Sequence, residues 1–314
     1  MNVLLTGAAG LIGMAVRTVL ASRGHRVVAT DVTAFDRADS DLHIIALDDT
    51  AGFERLVAEH GIEAMVHCGA ISGPMMFKGE PLRLVAVNID ATAALLDLAR
   101  RRAMRRFVFC SSNSVYGDVG DAPITEATPL VPTSVYGASK VACEQLIQGF
   151  AAEYGLDGVS LRIARVYGPY RRANCHLGAM IHDTNAARGT EIPCDPGFLY
   201  HYVYVGDVAE AIAVVLDAPA LPHRLYNVGS GEALTMPRIV QAAAQVLPGL
   251  RATLIPGADD VPDRQAAFDV TRIADELGWR PRFPIAAGLL AYRDAIAQGK
   301  AAGEAKPTSP LPDA

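Results

Sequence analysis

Short apolar runs rich in β-branched residues alternate with longer segments of helical periodicity through the first half of the chain. This alternation limits the fold more than any other feature, because neighbouring parallel strands need a crossover connection, usually a helix. The predicted strands are residues 2–5, 26–30, 43–46, 64–67, 106–110 and 159–163. The predicted helices are residues 11–22, 53–60, 82–102 and 136–154. The predicted fold class is therefore α/β, a doubly wound parallel sheet with helices on both faces.

The second half of the chain has a looser pattern, in which prolines and glycines become frequent. Its predicted elements are strands at 225–228 and 253–255 and helices at 208–216, 236–247 and 271–277. We expect residues 169–298 to form mainly a smaller C-terminal α/β lobe for substrate, and segments such as 199–217 to return to a first domain at 1–168. Residues 299–314 have almost no large apolar side chain, so this tail is expected to be disordered.

Three glycines, Gly7, Gly10 and Gly13, follow the first predicted strand and open the first predicted helix. Glycine is needed at such a turn because a Cβ would block a left-handed backbone and keep a pyrophosphate from the amides at the helix N-terminus. Leu11 and Ile12 begin this helix and bring their amides to the same place. The position between strand and helix predicts a dinucleotide-binding loop of the Rossmann type.

Asp31 ends the second predicted strand, close to the distance from Gly13 at which an acid bonds the adenosine ribose hydroxyls. A carboxylate there repels a 2′-phosphate, so the sequence favours NAD over NADP. Arg37 lies close by in the sequence, so NADP is not excluded as the cofactor. The alternative for Asp31 is an aspartate that only caps a helix or a turn.

Tyr136 and Lys140 are spaced i and i+4 and so share one face of a predicted helix. Holding a phenolate near neutral pH requires a shift of about 3 pKa units for an ordinary tyrosine, or about 4 kcal/mol, and a nearby ammonium favours that ionised form. A serine cluster at residues 111, 112 and 114 lies at the carboxyl edge of the predicted sheet, where ligands of open α/β folds bind, and a serine there can hydrogen-bond the reacting oxygen. We therefore expect Tyr136 to be the acid and base of a hydride transfer, with Lys140 and one of these serines beside it.

These motifs, taken in order along the chain, resemble the extended branch of the short-chain dehydrogenase/reductase superfamily, the NAD-dependent epimerase/dehydratase family. The similarity runs from Asn2 to about Ala297. It rests on TGAAGLIG, Asp31, Asp48, His67-Cys68-Gly69-Ala70, Asn88, SSNSVYG, YGASK, Arg162 through RVYGP, VYVGDVAEAI, YNVGSG and LGWRP. This group holds nucleotide-sugar epimerases, dehydratases and related dehydrogenases, so the resemblance implies one of these activities, with NAD as the cofactor.

The resemblance also implies roles for further residues. Ser112, which stands four residues before Tyr116, would be the catalytic serine. Asp48, with Asp49 beside it, would meet the adenine. The residues expected to line the cofactor are Cys68, Gly69, Ala70 and Ile71, together with Tyr136 and Lys140. Asn88 is expected to contact the cofactor or to hold a structural hydrogen bond, with neither role favoured. A homodimer is implied, through the helices at 82–102 and 136–154 packed as a four-helix bundle.

The substrate side departs from the family pattern at two positions. Arg165 stands where an asparagine usually binds substrate phosphate, and Tyr200 stands where an arginine usually meets the nucleotide. Arg264 does match a phosphate-contacting position. Arg165 could hold a carboxylate in a bidentate fork, or it could be a structural ion pair. The candidate substrate residues are Ser72, Ser112, Asn113, Ser114, Tyr136, Arg165, Tyr200 and Arg264.

Three functions remain open at this point. The leading hypothesis is an NAD-dependent oxidoreductase that acts on a secondary hydroxyl or ketone of a sugar-like or sugar-acid substrate. The alternative is a nucleotide-sugar epimerase or dehydratase that retains its NAD, and net NADH production separates the two. A redox-inactive NAD-binding sensor is a minor alternative, since function depends on the site and not on the fold.

Charge and cysteine content narrow the class of protein further. The net charge of −6 and the lack of a long Lys/Arg block argue against nucleic acid, and no apolar stretch predicts a membrane span. The five cysteines are odd in number and scattered, which is typical of reduced thiols in a cytoplasm. Cys175, His176 and His182 do not have the spacing of zinc ligands on one helix face, so no metal is expected.

Overall fold

A computed structural model describes residues 1–35, 39–73, 79–120, 122–172, 175–258 and 263–299. Arg37 and nearly all of the expected disordered tail lie outside these residues. The strands are β1 Asn2–Thr6, β2 Arg26–Asp31, β3 Leu42–Ile44, β4 Ala64–His67, β5 Arg106–Ser112, β6 Gly158–Ile163, β7 Arg165–Tyr167, β8 Thr190–Cys194, β9 Leu199–Tyr200, β10 Tyr202–Tyr204, β11 Leu225–Val228, β12 Leu234–Thr235 and β13 Ala252–Pro256.

The α-helices are α1 Leu11–Ser22, α2 Thr50–His60, α3 Pro81–Val85, α4 Ala91–Arg101, α5 Val135–Tyr154, α6 His176–Asn185, α7 Val205–Asp217, α8 Met236–Val246, α9 Thr271–Leu277 and α10 Ile285–Ala297. A π-helical turn, Ala86–Asp90, joins α3 to α4, and a 3₁₀ turn, Asn113–Val115, follows β5. Within the described part of the chain, no helix is long and apolar enough to span a bilayer.

The central sheet has the strand order β11-β6-β5-β4-β1-β2-β3, and its strands are all parallel. The direction of winding reverses between β1 and β4, which opens a crevice at the carboxyl ends of these strands. Both faces of the sheet are covered: Val3 and Leu5 pack into one core with α1 and α7, and Leu4 packs into another with α2, α4 and α5. The doubly wound α/β fold predicted from the sequence is thereby confirmed.

Three two-stranded ladders extend the molecule beyond the central sheet: β7 with β10, β8 with β13, and β9 with β12. They surround a third apolar core, to which α6, α8 and α10 contribute. Tyr167, Tyr200 and Tyr202 are buried in this core. The helix α7, which follows β10 directly, packs against α1 on the central sheet.

The helix predicted over residues 82–102 is interrupted by the π turn at Ala86–Asp90. Within that turn the Asn88 carbonyl accepts hydrogen bonds from Thr92 Oγ1 at 2.6 Å and from Cys143 Sγ at 3.0 Å. The Asn88 carbonyl thus accepts hydrogen bonds from side chains, in addition to the backbone hydrogen bonds of a regular α-helix. The predicted helix is therefore present from Pro81 to Arg101 with a π turn inside it, and the pattern of apolar residues carries no signal for the extra residue of that turn.

Candidate active site

The glycine loop between β1 and α1 has the backbone that only glycine adopts readily. Gly7 has φ +66°, and a Cβ placed on it would lie 2.6 Å from the amide nitrogen of Gly69. A Cβ on Gly13 would overlap the Gly7 carbonyl. Gly10 caps α1 and brings no side chain to its first amides. The loop therefore packs directly on the segment after β4 and leaves backbone amides facing the crevice, an arrangement that suits a pyrophosphate.

Asp31 lies at the carboxyl end of β2, beside this loop. Its carboxylate accepts the backbone N–H of Ala9 at 2.9 Å and that of Val32 at 2.7 Å. The side chain is therefore placed where the ribose interpretation requires it, and it also holds a turn, as the alternative interpretation requires. Asp49 caps α2 by accepting the Gly52 N–H at 2.8 Å, and Asp48 precedes it.

Asn88 fastens the segment after β4 to α5. Its Nδ2 donates to the Ile71 carbonyl at 3.2 Å and to Ser139 Oγ at 3.1 Å, and its Oδ1 accepts the Ile71 N–H at 2.8 Å. All the hydrogen-bond donors of this buried amide are thus used within the protein. These contacts give Asn88 a structural hydrogen-bond role, and its contact with the cofactor stays a prediction.

A buried histidine that the sequence did not single out as a site residue lies below this segment. His67 Nδ1 is 2.6 Å from Thr6 Oγ1, and its Nε2 is 2.9 Å from Thr92 Oγ1. The Gly69 N–H donates to Thr6 Oγ1, and Thr92 Oγ1 donates to a carbonyl, so His67 accepts at Nδ1 and donates at Nε2. Burial lowers the pKa of His67 to about 3, with a contribution from the charge of Lys140. The histidine is therefore neutral and holds β1, β4 and α4 together.

Tyr136 and Lys140 lie in the first turns of α5, whose N-cap is Ser134, an acceptor for the Gly137 N–H at 3.1 Å. Tyr136 is 7% exposed and Lys140 is 3% exposed. Lys140 Nζ donates to the Cys110 carbonyl at 2.9 Å and lies 5.8 Å from the centroid of the Tyr136 ring. The two candidate catalytic side chains are thus adjacent, and a backbone carbonyl of β5 fixes the ammonium.

Ser112 ends β5 and is 8% exposed. Its Oγ lies 3.3 Å from Asn113 Oδ1 and 3.3 Å from Ser114 Oγ, and it accepts the Ser114 N–H at 3.2 Å. A Cβ on Gly137 would overlap the Ser114 carbonyl, so the start of α5 packs directly on this loop. The structure therefore brings the serine loop and the tyrosine helix into contact.

A buried ion pair between Arg162 and Glu144 connects the serine loop to α5. Arg162 Nη2 donates to Glu144 Oε2 at 2.7 Å, and Ser111 Oγ donates to Glu144 Oε1 at 2.5 Å. Arg162 Nη1 also donates to Tyr116 Oη at 3.0 Å, while burial raises the pKa of that phenol to about 12. These contacts join β5, β6 and α5, and Glu144 is the one residue among them that lay outside the sequence motifs.

Cys68 lies just beyond β4 and was expected to line the cofactor. Its Sγ is 3.3 Å from Cys110 Sγ, and both thiols are free. The contact with Cys110 and burial together raise the pKa of the Cys68 thiol. The Cys68 thiol therefore stays protonated and packs against Cys110.

Arg165 lies on β7, opposite Tyr202 in the register of the β7–β10 ladder. Its guanidinium carbon is 5.6 Å from the ring centroid of Tyr200 and 5.6 Å from that of Tyr202. The two rings are parallel, with 5.8 Å between their centroids. Contact with two aromatic rings stabilises a guanidinium in a fixed place, which leaves the side chain suited to bind an anion.

The other candidate substrate residues lie in two different places. Ser72, which follows the residue Ile71 that Asn88 binds, is exposed. Arg264 is exposed, with its guanidinium 3.2 Å from Asp195 Oδ2. Its neighbour Gln265 is buried and bonded to Asn113, with 2.9 Å between Asn113 Nδ2 and Gln265 Oε1. The structure thus places Arg264 at the surface and its neighbour against the serine loop. Among the described residues, no group of three or more His, Cys, Asp or Glu is arranged to hold a metal.

Comparison with known proteins decides the family. The model of the NAD dependent epimerase/dehydratase family matches residues 3–229. The chain belongs to this family. The resemblance stated from the sequence motifs is thereby confirmed, as is the prediction of an NAD-dependent enzyme.

The relatives of this family member include two activities. It is 30% identical to a UDP-glucose 4-epimerase of Corynebacterium glutamicum, over 90% of this chain and 91% of that protein. It is also 30% identical to a dTDP-glucose 4,6-dehydratase of Xanthomonas campestris pv. campestris, over 91% of this chain and 90% of that protein. The structure of the Thermus thermophilus UDP-glucose 4-epimerase in complex with NAD superposes with a TM-score of 0.84 at 28% identity, covering 95% of this chain and 99% of that one.

Proposed function

We propose that this enzyme transfers a hydride between NAD and a secondary carbon–oxygen centre of an acidic, sugar-type substrate. The observation that carries the proposal is the buried pair of Tyr136 and Lys140, whose helix packs on the loop of Ser112. Tyr136 exchanges the proton of the substrate hydroxyl, with the buried ammonium of Lys140 beside its ring. Ser112 donates a hydrogen bond to the same oxygen. A redox-inactive sensor has no use for this arrangement.

The residues around the crevice fit NAD. The glycine loop and the first amides of α1 suit the pyrophosphate, and Asp31 suits the adenosine ribose. Cys68 to Ile71, which follow β4 beside the glycine loop, would form the adjoining wall, and Asp48 would lie at the adenine end. NAD, when bound, accepts the hydride from the carbon that carries the hydroxyl.

The loop after β5 favours hydride transfer without loss of water. A dehydratase needs an acid and a base, one to protonate the leaving hydroxyl and one to remove a proton from the neighbouring carbon. Ser112 is followed by Asn113 and Ser114, which do not titrate near neutral pH. The carboxylate of Glu144 is buried in its ion pair with Arg162. We therefore favour an oxidoreductase or an epimerase over a dehydratase.

Arg165 supports an acidic substrate. Its guanidinium is held against Tyr200 and Tyr202 on the ladder that follows β6, and a guanidinium binds a carboxylate with two parallel hydrogen bonds. An aldonic or uronic acid offers that carboxylate next to several secondary hydroxyls. The substrate class proposed is therefore a sugar acid without a nucleotide.

The second candidate function is a nucleotide-sugar 4-epimerase, which the Arg264 side chain favours. Arg264 is exposed, and its ion pair with Asp195 is also exposed, so a phosphate could replace the carboxylate at little cost. The UDP-glucose 4-epimerase among the relatives supports the same candidate. An epimerase would use the hydride step twice and release no NADH.

One experiment separates the two candidates. The enzyme is supplied with NAD and a panel of aldonic and uronic acids, beside UDP, dTDP and GDP sugars, while NADH absorbance is followed and the products are analysed by NMR. We expect net NADH from one or more of the acids. Epimerisation of a nucleotide sugar without net NADH would overturn the proposed substrate class in favour of the second candidate.

We also propose that the enzyme is a cytoplasmic homodimer. Leu82 on α3 and Val135 on α5 are 82% and 47% exposed, and both lie on the elements expected to form a four-helix bundle with a second copy. The five free cysteines support a reducing compartment. Light scattering of the wild type and of Leu82→Asp tests the dimer, and a monomeric wild type would contradict it.

A further inference from the structure

Two segments that start from distant strands of the central sheet touch each other at its carboxyl edge. The ring of Phe35 meets the ring of Tyr170 edge to face, with 5.8 Å between the centroids. Arg172 Nη2 donates to the Ala34 carbonyl at 2.8 Å, and its guanidinium carbon lies 4.9 Å from the centroid of the Phe35 ring. These three contacts hold the two segments together, and we call the four residues the bridge.

The bridge spans most of the sheet. Ala34 and Phe35 follow β2, whereas Tyr170 and Arg172 follow β7, which continues from β6 after one residue. Four strand spacings separate β2 from β6 in the order β6-β5-β4-β1-β2. Since neighbouring strands lie about 4.8 Å apart, this distance is about 19 Å. The contact therefore crosses the crevice, which opens at the carboxyl ends of β1 and β4.

The bridge lies on the face of the sheet that carries the glycine loop. Ala34, Phe35 and Tyr170 are half-buried and pack on the core that α1 and α7 share. Leu11 and Ile12, at the start of α1, pack on the same core. The bridge therefore stands on the side of the crevice where the first amides of α1 suit the pyrophosphate.

The expected path of NAD runs along the same edge. The adenosine ribose is expected at Asp31, which ends β2, and the pyrophosphate at the glycine loop after β1. The reacting ring is expected near Tyr136 and Ser112, beside the end of β5. A bound dinucleotide would thus extend from β2 to β5, and the bridge extends from β2 to β7. The bridge therefore closes over the length of the cofactor.

The contacts of the bridge are of a kind that opens without unfolding the domain. Arg172 is exposed and Phe35 is half-buried. A guanidinium over a ring at an exposed site and a hydrogen bond to one carbonyl each contribute little stability. Segments held by a few such contacts open locally while the strands beneath them stay intact.

We propose that the bridge is a gate for the cofactor, so that NAD enters and leaves the crevice only while the segment of Phe35 is parted from that of Tyr170 and Arg172. The inference uses the NAD of the family and does not depend on the substrate proposed above. It also bears on the two candidate functions. An oxidoreductase opens the gate in every turnover to exchange NADH for NAD, whereas an epimerase works with the gate closed.

The kinetics of NADH binding distinguish a gate from a binding contact. Stopped-flow fluorescence measures association of NADH with the enzyme, and displacement by excess NAD measures its dissociation. A weakened gate raises both rate constants by the same factor and leaves the Kd unchanged, whereas loss of a binding contact raises the dissociation rate and the Kd together. We expect Phe35→Ala and Arg172→Ala each to raise both rate constants about tenfold, with the Kd within about twofold of the wild type.

Three further variants sharpen the test. Phe35→Tyr keeps the ring and should keep both rate constants. Arg238→Ala, which removes an exposed arginine from α8, is the matched control for loss of charge and should also leave them unchanged. The double variant of Phe35→Ala and Arg172→Ala should fall short of the product of the single effects, because both single variants lose the same contact between guanidinium and ring. A full product would contradict one shared bridge.

Two results would overturn the gate: unchanged rate constants in both alanine variants, or a faster dissociation matched by an equally higher Kd. These measurements need no substrate, so they are independent of the proposed function. If both rate constants rise as expected while none of the acids yields NADH, the gate stands and the proposed reaction fails. If an acid yields NADH while the rate constants of the variants stay at the wild-type values, the proposed reaction stands and the gate is wrong.

Discussion

The cofactor side and the substrate side of the crevice are built in different ways. The cofactor side, meaning the carboxyl ends of β1, β2 and β4 with the start of α1, consists mainly of backbone: the amides of the glycine loop and the close approach of Gly7 to Gly69. The substrate side, meaning β7, β9 and β10 with Gln265, consists of large side chains on strands of two or three residues. A site made of backbone tolerates few substitutions. Side chains on a stable frame can be substituted, and each substitution can alter which ligand binds, so we expect substrate specificity to be set on the substrate side.

The largest expected effect lies where the two sides meet, at Tyr136. Tyr136→Phe removes the proton acceptor and little volume, so turnover should fall by a factor of about 100 or more while the dissociation constant for NAD stays nearly unchanged. Tyr154→Phe, at the exposed end of the same helix, is the matched control and should keep full turnover. Turnover in Tyr136→Phe comparable with that of the wild type would contradict the proposed mechanism.

A smaller effect is expected on the cofactor side, at Asp31. Its charge should disfavour NADP by about 2 kcal/mol, or roughly 30-fold in the specificity constant. Asp31→Asn keeps an acceptor for the Ala9 N–H and loses the charge, so the preference for NAD should shrink toward parity. Asp41→Asn, at the exposed turn before β3, serves as the control. Equal specificity constants for NAD and NADP in the wild type would show that Asp31 does not bind the ribose.

On the substrate side, Arg165→Lys keeps the charge and loses the two-pronged geometry, so KM for an acid substrate should rise about tenfold with kcat nearly unchanged. Arg264→Lys is the comparison variant, and its KM for a small acid should stay unchanged, because the exposed Arg264 has no part in binding such a substrate. A nucleotide sugar would reverse the order of the two effects. Steady-state kinetics of both variants with the same substrate therefore locates the anion.

The smallest expected effect concerns stability, to which each side contributes one buried neutral histidine. The folded pKa values of His67 and His201 are lowered to about 3 and about 4 from an ordinary 6.5. Below pH 6.5 the unfolded chain binds protons that the folded chain does not, so stability falls as the pH falls. Between pH 7 and pH 6 each histidine should lower the free energy of unfolding by about 0.7 kcal/mol. Urea unfolding at the two pH values measures the sum.

The same measurement on His201→Gln divides that sum between the two sides. This variant should lose the share of His201 and keep that of His67, so its pH dependence should be about half as steep. An unchanged dependence would mean that His201 is already protonated in the folded protein.

Sequence patterns predicted the cofactor side well because its signals are local. The glycine loop, β1 and α1 are contiguous, and α1 begins and ends at the predicted residues. The four-residue spacing of Tyr136 and Lys140 places them on one helix face whatever the rest of the chain does. Strands buried on both faces give continuous apolar runs, which the sequence shows directly.

Tertiary structure decided the rest. Strands as short as β7, β9, β10 and β12 have no measurable period, and they exist because a distant segment pairs with them. The contacts of His67 with Thr6 and of His201 with Gln265 join residues about 60 positions apart, and nothing in the local pattern ties one to the other. The chain alone thus determined the sheet, the glycine loop and the tyrosine–lysine pair. Only long-range packing decided which partners Asn88 binds and that Arg165 rests on two aromatic rings, because burial and hydrogen-bond partners belong to the fold and not to the neighbouring sequence.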